Sequence, residues 1–250
     1  MTTATVVSIL AGTCVGGFVS GVAGFAFALV SLGFWVWLID PPLISPMAVF
    51  GSFVAQVLSL GAIRRRMQWR RLAPFLAGGV LGVPIGAALL QHVDLVTFRL
   101  TVGAILVAYC SYMLLAPKLA PIDFGGRLAD GCVGLIGGTM GGLAGLTGPA
   151  PTIWCNLRGW DKDTQRSVFQ TFNLAMQAIA LVTYGVNGAL TRPVLAMFGV
   201  MLPAIVVPVW LGARVYARID DRTFRRIVMA LLLLSGALLL ASSAIATRSQ

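Results

Sequence analysis

The 250-residue chain repeats itself, and its two copies carry their positive charges at opposite ends. Shifting the sequence by 121 positions superposes Gly16, Gly17, Gly21, Ala23 and Gly24 on Gly137, Gly138, Gly142, Ala144 and Gly145, and brings Asp40 onto Asp161, Gln56 onto Gln177 and Arg71 onto Arg192. Five inserted residues later, Gly86 and Ala87 match Gly212 and Ala213, and Asp94, Thr97, Phe98 and Arg99 match Asp220, Thr223, Phe224 and Arg225. Apolar helices resemble one another by chance, so the polar matches in constant order carry the case. The loop after the second apolar block holds Arg64, Arg65, Arg66, Arg70 and Arg71 in the first copy and only Arg192 in the second. After the third block the bias reverses: His92, Asp94 and Arg99 against Arg214, Arg218, Arg222, Arg225 and Arg226. Lys and Arg concentrate in cytoplasmic loops, so equivalent loops face opposite compartments and the repeat is inverted.

Only lipid can solvate such a chain. Apolar residues make up 58% and charged residues 10%, with a mean hydropathy of +0.91, too apolar for a water-soluble core to absorb. Apolar blocks recur at about 5–39, 45–63, 72–91 and 98–116, then 128–156, 166–187, 193–213 and 225–246. Most are near the roughly 20 residues a spanning helix needs, and none shows the short alternation of a membrane barrel. The expected fold is an all-α polytopic membrane protein: a first repeat over 1–117, a linker over 118–127 and a second repeat over 128–250. No Lys or Arg precedes Arg64, so the first block reads as a retained segment and not as a cleaved signal peptide. The net charge of +10 sits in short loops and not on a continuous basic face with interleaved aromatics, which excludes nucleic acid as the partner.

Topology then constrains the first block of each copy. With Lys118 and Arg127 on the cytoplasmic side, and the loop of Arg158, Lys162 and Arg166 there too, the block between must enter and leave on one side. Its middle, from Gly137 to Pro151, is rich in glycines that relax a helix, and Pro149 or Pro151 suits the first turn of a new one. A re-entrant helical hairpin is expected there, and its counterpart over Gly16 to Phe27 enters from the other side. Each repeat is then a broken Gly-rich hairpin plus three transmembrane helices, with both termini outside; eight ordinary spans are the alternative.

Irregular backbone at membrane depth is tolerated only where it lines a cavity or is covered by protein, so two breaks meeting from opposite sides enclose a site. Half-helices starting near Phe25 and Pro149 would aim their positive dipole ends inward, which suits an anion. Ser20, Gly21, Gly24, Gly142, Gly145 and Thr147 are the candidate residues of the breaks, with Thr152 a weaker one. Ser52 and Gln56, repeat-mates of Asn173 and Gln177, are spaced i, i+4 on one helix face and supply neutral hydrogen-bonding groups. The competing readings are structural: G-x-x-x-G for close helix packing and Asn or Gln for interhelical hydrogen bonds. Trp154 and Trp160 read as interfacial anchors.

Catalysis has little to work with. The chain has no Glu, one His in a predicted loop, and Cys14, Cys110, Cys132 and Cys155 without metal-ligand spacing, so the cysteines read as packing residues and neither cofactor nor metal is expected. Asp40, Asp94, Asp161 and Asp220 fall at block ends, where they read as helix caps. No carboxylate marks a proton relay at the membrane centre.

The segments Gly16-Gly17-Phe18-Val19-Ser20-Gly21-Val22-Ala23-Gly24-Phe25 and Gly137-Gly138-Thr139-Met140-Gly141-Gly142-Leu143-Ala144-Gly145-Leu146 resemble those of the TauE/SafE sulfite exporter family. The basic loop from Arg64 to Arg71 and the stretch Gly78-Gly79-Val80-Leu81-Gly82-Val83-Pro84-Ile85-Gly86 are similar as well. Many members carry G-x-G-G-G with a nearby Pro in the break; this chain has Gly21-Val22-Ala23-Gly24 and Gly142-Leu143-Ala144-Gly145, with Pro only after the second. The resemblance implies a multi-pass protein of a bacterial inner (plasma) membrane that moves a small anion, sulfite or an organosulfonate, most readily outward. A small-carboxylate permease and a membrane subunit that transports nothing are the alternatives. Oligomeric state is not legible in the sequence.

Overall fold

The structure, a computed structural model, describes residues 3–35, 38–39, 41–62, 68–89, 100, 103–104, 107–108, 111, 122, 124–144, 147–186, 188 and 190–248. Within them every regular element is an α-helix: α1 (Thr3–Ala23), α2 (Phe27–Trp35), α3 (Pro41–Ala62), α4 (Trp69–Leu89), α5 (Gly126–Ala144), α6 (Pro149–Leu157), α7 (Lys162–Val186), α8 (Arg192–Arg218) and α9 (Asp221–Arg248). Most of the fourth block of the first copy lies outside the described residues, as do Asp40, Arg64, Arg65, Arg66, His92, Asp94, Arg99, Cys110, Lys118 and Gly145.

The helix boundaries follow the local chemistry. α1 stops where Gly24 (φ +80°) and Ala26 (φ +75°) take left-handed backbone, which costs a glycine nothing and an alanine roughly 1–2 kcal/mol. α6 begins on Pro149, whose fixed φ and missing N–H suit the first helical position. Asp161 caps α7, accepting from the backbone N–H groups of Asp163 (3.1 Å) and Thr164 (2.9 Å), and Asp220 caps α9 through the Thr223 N–H at 3.2 Å. Partial burial raises the Asp161 carboxyl, but hydrogen bonds from the Thr164 hydroxyl and N–H outweigh it and hold the group below the usual carboxylate range.

Both Gly-rich blocks double back. The Ser8 hydroxyl donates to the Phe34 carbonyl at 2.6 Å and the Ser31 hydroxyl to the Gly12 carbonyl at 2.9 Å, so α2 returns along α1 towards its start. In the second copy Gly137 packs on Pro151, the Trp154 indole N–H donates to Asp130 at 2.7 Å, and the Ile122 N–H reaches the Leu157 carbonyl at 2.9 Å. The returning arm α6 has 9 residues. At 1.5 Å per residue that is about 14 Å, under half of a roughly 30 Å hydrocarbon layer. By contrast α3, α4, α7, α8 and α9 run 22, 21, 25, 27 and 28 residues.

Each hairpin is clasped by a helix of the other copy. α1 lies parallel to α8: a Cβ on Gly21 would meet the Val209 carbonyl and stand 2.9 Å from the Cα of Gly212. α4 lies parallel to α5, with Gly78, Gly82 and Gly86 advancing in step with Gly131, Leu135 and Thr139, and a Cβ on Gly138 would stand 2.8 Å from the Cα of Gly79. Small residues here let backbones touch, so packing accounts for these glycines. Three apolar cores obey the same exchange, one joining Phe27, Met47 and Ala55 to Met201 and Val209, a second joining Phe25 and Ala26 to Phe169 and Tyr216, and a third joining Leu72 and Phe75 to Cys155, Val168 and Phe172.

Polarity is inside out relative to a water-soluble protein. Val80, Leu81, Ile85, Val207, Leu211 and Val215 are exposed, whereas Ser52, Gln56, Arg166, Gln170, Asn173 and Gln177 are buried. Such a surface is satisfied by acyl chains and such an interior by a polar site. α1 and α8 are long and apolar enough, with mean hydropathies of 1.9 and 2.4 over their best windows, to cross a membrane by length and composition.

One expectation needs correcting. Arg166, grouped by sequence with the loop cations Arg158 and Lys162, lies a full turn inside α7 and is completely buried. α7 begins at Lys162 because Asp161 caps it there, and that start carries Arg166 into the bundle.

Candidate functional site

The two breaks and the middles of α3 and α7 enclose a small cavity. Ser20, Phe25, Ala26, Phe27, Ala28 and Ser52 line it with Gln56, Thr147, Gly148, Pro149, Asn173 and Gln177. Ten of these twelve residues fall into five pairs separated by the 121-residue offset of the repeat: Ala26 with Thr147, Phe27 with Gly148, Ala28 with Pro149, Ser52 with Asn173 and Gln56 with Gln177. The last pair touches directly, the Gln56 Nε2 donating to the Gln177 Oε1 at 2.8 Å. Residues at equivalent positions of the two sequence copies thus line one cavity.

The wall is polar and neutral. No Arg, Lys or Asp lines the cavity among the described residues; its polar side chains are the hydroxyls of Ser20, Ser52 and Thr147 and the amides of Gln56, Asn173 and Gln177. Gln56 Oε1 and Asn173 Oδ1 are buried without a hydrogen-bond partner. Leaving a buried polar group unpaired costs roughly 1–3 kcal/mol, and an amide presents its oxygen or its nitrogen to whatever ligand or water fills the space. The first turns of α2 and α6 also abut the cavity with the partial positive charge of a helix start, α2 bringing unpaired N–H groups and α6 only that of Ala150, since Pro149 and Pro151 have none. Space open to the centres of water-sized molecules totals about 30 Å³. One water needs roughly 10–15 Å³ on that measure, so the occupant is a few heavy atoms and not a chain.

About two helical turns along α7 from Asn173 stands a fixed cation. Arg166 donates from Nη1 to the Val22 carbonyl at 2.8 Å and from Nη2 to the Gly21 carbonyl and to the Ser59 hydroxyl at 2.7 Å. Its Nε reaches Gln170 Oε1 at 3.2 Å, and its guanidinium lies 4.0 Å from the centroid of Tyr216, whose hydroxyl donates to Asp163 at 2.6 Å. The guanidinium thus binds the carbonyl end of α1, where the helix dipole is negative, and removes from the break a charge that would repel an anion. Sequence reading missed this residue because a cation at a segment boundary looks like a loop charge. The signal available was the stripe Arg166, Gln170, Asn173 and Gln177, at helical spacing on one face of α7.

Of the residues singled out from sequence, Ser20, Ser52, Gln56, Thr147, Asn173 and Gln177 come together around the cavity. The glycines do not. Gly21 packs against α8 and offers its carbonyl to Arg166, and Gly24 makes the turn, with Arg166 Nε 2.9 Å from where its Cβ would be. Gly142 sits half-buried on α5, away from the lining, and Gly145 lies outside the described residues. The Thr152 hydroxyl turns back onto the Gly148 carbonyl at 2.7 Å. Phe25, Ala26, Phe27 and Ala28 were missed as lining residues because nothing in an apolar side chain marks a backbone that faces a cavity.

Bilayer-length helices with an apolar exterior, and two broken hairpins meeting at a neutral polar cavity, are the build of a membrane transport protein. The family model for Sulfite exporter TauE/SafE matches residues 8–239, and the chain belongs to that family. Membership makes it a membrane transporter. No curated protein and no solved structure matches the chain.

Proposed function

We propose that the chain is a transmembrane exporter of a small sulfur oxyanion, sulfite in the first instance and organosulfonates as the wider class, held in the cavity against the contacting Gln56–Gln177 pair. The observation that carries this reading is the cavity itself, built from five repeat-related pairs at the only place where both broken hairpins meet polar residues of α3 and α7 among the described residues. An inverted repeat, with six crossings and two re-entrant hairpins, is supported by the exchanged basic loops, the doubled-back hairpins and the reciprocal α1–α8 and α4–α5 clasps. That arrangement puts Arg70, Arg71, Arg158 and Arg218 at the cytoplasmic face of a bacterial inner membrane.

Ser20, Ser52, Gln56, Thr147, Asn173 and Gln177 act as neutral hydrogen-bonding ligands, and the starts of α2 and α6 supply partial positive charge. A neutral wall binds an anion without the Coulomb trap of a paired cation, which lets the ion leave. The cavity volume of about 30 Å³ favours a three-oxygen ion over a sulfonate with a bulky substituent. Arg166, seven residues before Asn173 on α7, stands roughly 10 Å nearer the cytoplasmic end of that helix. There it offsets the negative carbonyl end of α1, which would otherwise repel an anion at the break. Expelling a monovalent anion from a negative interior gains roughly 2.3 kcal/mol per 100 mV, so the potential drives the step without a titrating carboxylate.

Anion flux in proteoliposomes, with voltage and pH gradient imposed separately, tests this reading. Saturable sulfite movement that follows voltage is expected. Flux that follows only the pH gradient contradicts voltage drive, and absence of flux for every small anion tried contradicts the transporter site.

A further inference from the structure

A second polar site lies at one end of the bundle, where α4 and α5 both begin and α6 ends. A cleft of about 330 Å³ is lined there by Arg70, Arg71, Arg127, Arg158, Asp130 and Trp160. Four guanidiniums face one carboxylate, and that carboxylate is already engaged: Asp130 is buried, accepts from the Trp154 indole at 2.7 Å, and lies 3.7 Å from Arg158 Nη2. Arg158 Nη1 reaches the Ile122 and Phe124 carbonyls at 3.4 and 3.5 Å, while its Nε is buried with no partner. Arg71 stacks 4.7 Å over Trp160, which fixes its plane beside the opening. Because α4 and α5 run parallel, their positive dipole ends add to the excess charge. The repeat-related end has no such cluster: the positions matching Arg70, Arg127 and Trp160 are Thr191, Val6 and Ile39.

Apolar groups flank the cations. Trp69 is 60% exposed beside Arg70, and Phe124 and Leu128, at 73% and 81%, bracket Arg127. From there the outer faces of α4 and α5 continue as exposed Val80, Leu81, Leu135 and Ile136. A free ion uses only the guanidiniums, whereas a lipid uses both, with phosphate among the arginines and acyl chains along the two helices. We propose that this cleft binds the phosphodiester headgroup of an anionic phospholipid, and that the lipid bridges the α4–α5 clasp to the returning arm α6. The proposal is independent of which anion the central cavity carries.

The test uses the full-length protein in nanodiscs of phosphatidylcholine alone or mixed with phosphatidylglycerol, read by native mass spectrometry for retained lipid and by thermal unfolding. Arg70 and Arg127 are exposed, so the double variant Arg70→Gln/Arg127→Gln leaves the packing intact; Arg214→Gln/Arg222→Gln is the charge-matched control elsewhere. Wild type and control should retain phosphatidylglycerol over phosphatidylcholine and gain thermal stability from it. The Arg70→Gln/Arg127→Gln protein should lose roughly thirty-fold in that preference, at the order of 1 kcal/mol per cation near an anionic surface. Equal retention by both variants overturns the proposal. So does stabilisation by free inorganic phosphate or sulfite in phosphatidylcholine discs that phosphatidylglycerol does not reproduce, since the cleft would then belong to a soluble anion.

Discussion

The two breaks that wall the cavity are repeat-mates in sequence and unlike in what they offer an anion. In the first, positions 27–29 open α2 and each carries a backbone N–H that no preceding turn can use. In the second, α6 opens Pro149-Ala150-Pro151, so two of its first three residues have no N–H at all. The side chains differ as well, Thr147 and Asn173 facing Ala26 and Ser52. Each half brings three polar side chains to the cavity, and the first adds the fuller set of backbone N–H groups. The divergence widens about two turns from the cavity, where α7 carries the buried Arg166 and the repeat-related position on α3 is Ser45. The two halves therefore correspond closely at the cavity and diverge away from it.

The largest effect expected from breaking this comparison comes from making the first break like the second. Ala28→Pro copies its repeat-mate Pro149, tolerates the first turn of α2 and deletes one N–H from the cavity edge. Loss of a hydrogen bond to a charged group is worth roughly 1.5–3 kcal/mol, so sulfite binding should weaken about ten- to hundred-fold. Pro149→Ala, which restores an N–H, should leave binding unchanged or tighten it. Isothermal titration of both variants checks the pair, and equal losses in the two would mean the breaks are interchangeable.

Next in size is the off-centre asymmetry. Arg166→Gln keeps hydrogen-bonding capacity while removing the charge, and should raise the sulfite concentration for half-maximal flux about tenfold, the effect of roughly 1.4 kcal/mol. Ser45→Ala should be nearly silent in the same assay. If Ser45→Ala costs as much as Arg166→Gln, the charge of Arg166 is not what distinguishes the two halves.

The smallest expected effect concerns backbone strain. Ala26→Gly relieves a left-handed alanine and should stabilise the protein by about 1 kcal/mol, read as a rise in Tm, whereas Thr147→Gly at the repeat-related position should give no such gain. A fall in Tm for Ala26→Gly would show that the Ala26 methyl, packed among Phe25, Phe169 and Tyr216, outweighs the strain.

What was legible in the sequence divides along the same line. Gln56, Ser52, Asn173 and Gln177 stood out because a polar side chain in an apolar block is costly and these recur at one offset. The hairpins were legible from glycines and prolines, whose backbone effects are local. Gly21 and Gly24 were misassigned to the lining because a glycine that admits a ligand and one that admits another helix look alike until the partner is known. Here the partners are α8 and Arg166. The burial of Arg166 was hidden because it depends on where the α7 cap falls and on carbonyls of α1 that lie far off in sequence.

At the centre of the proposed function is a small anion seated in the cavity against the contacting Gln56–Gln177 pair. Sulfite binding to the purified protein, compared among wild type, Gln56→Leu, Gln177→Leu and the double variant, tests it most directly, with thermal unfolding to confirm that each is folded. Because the two amides are repeat-mates in contact, each single variant should weaken binding at least tenfold and by similar factors, and the double variant should bind little beyond background. Wild-type affinity in both single variants and in the double variant would contradict the claim and leave the pair as an interhelical hydrogen bond.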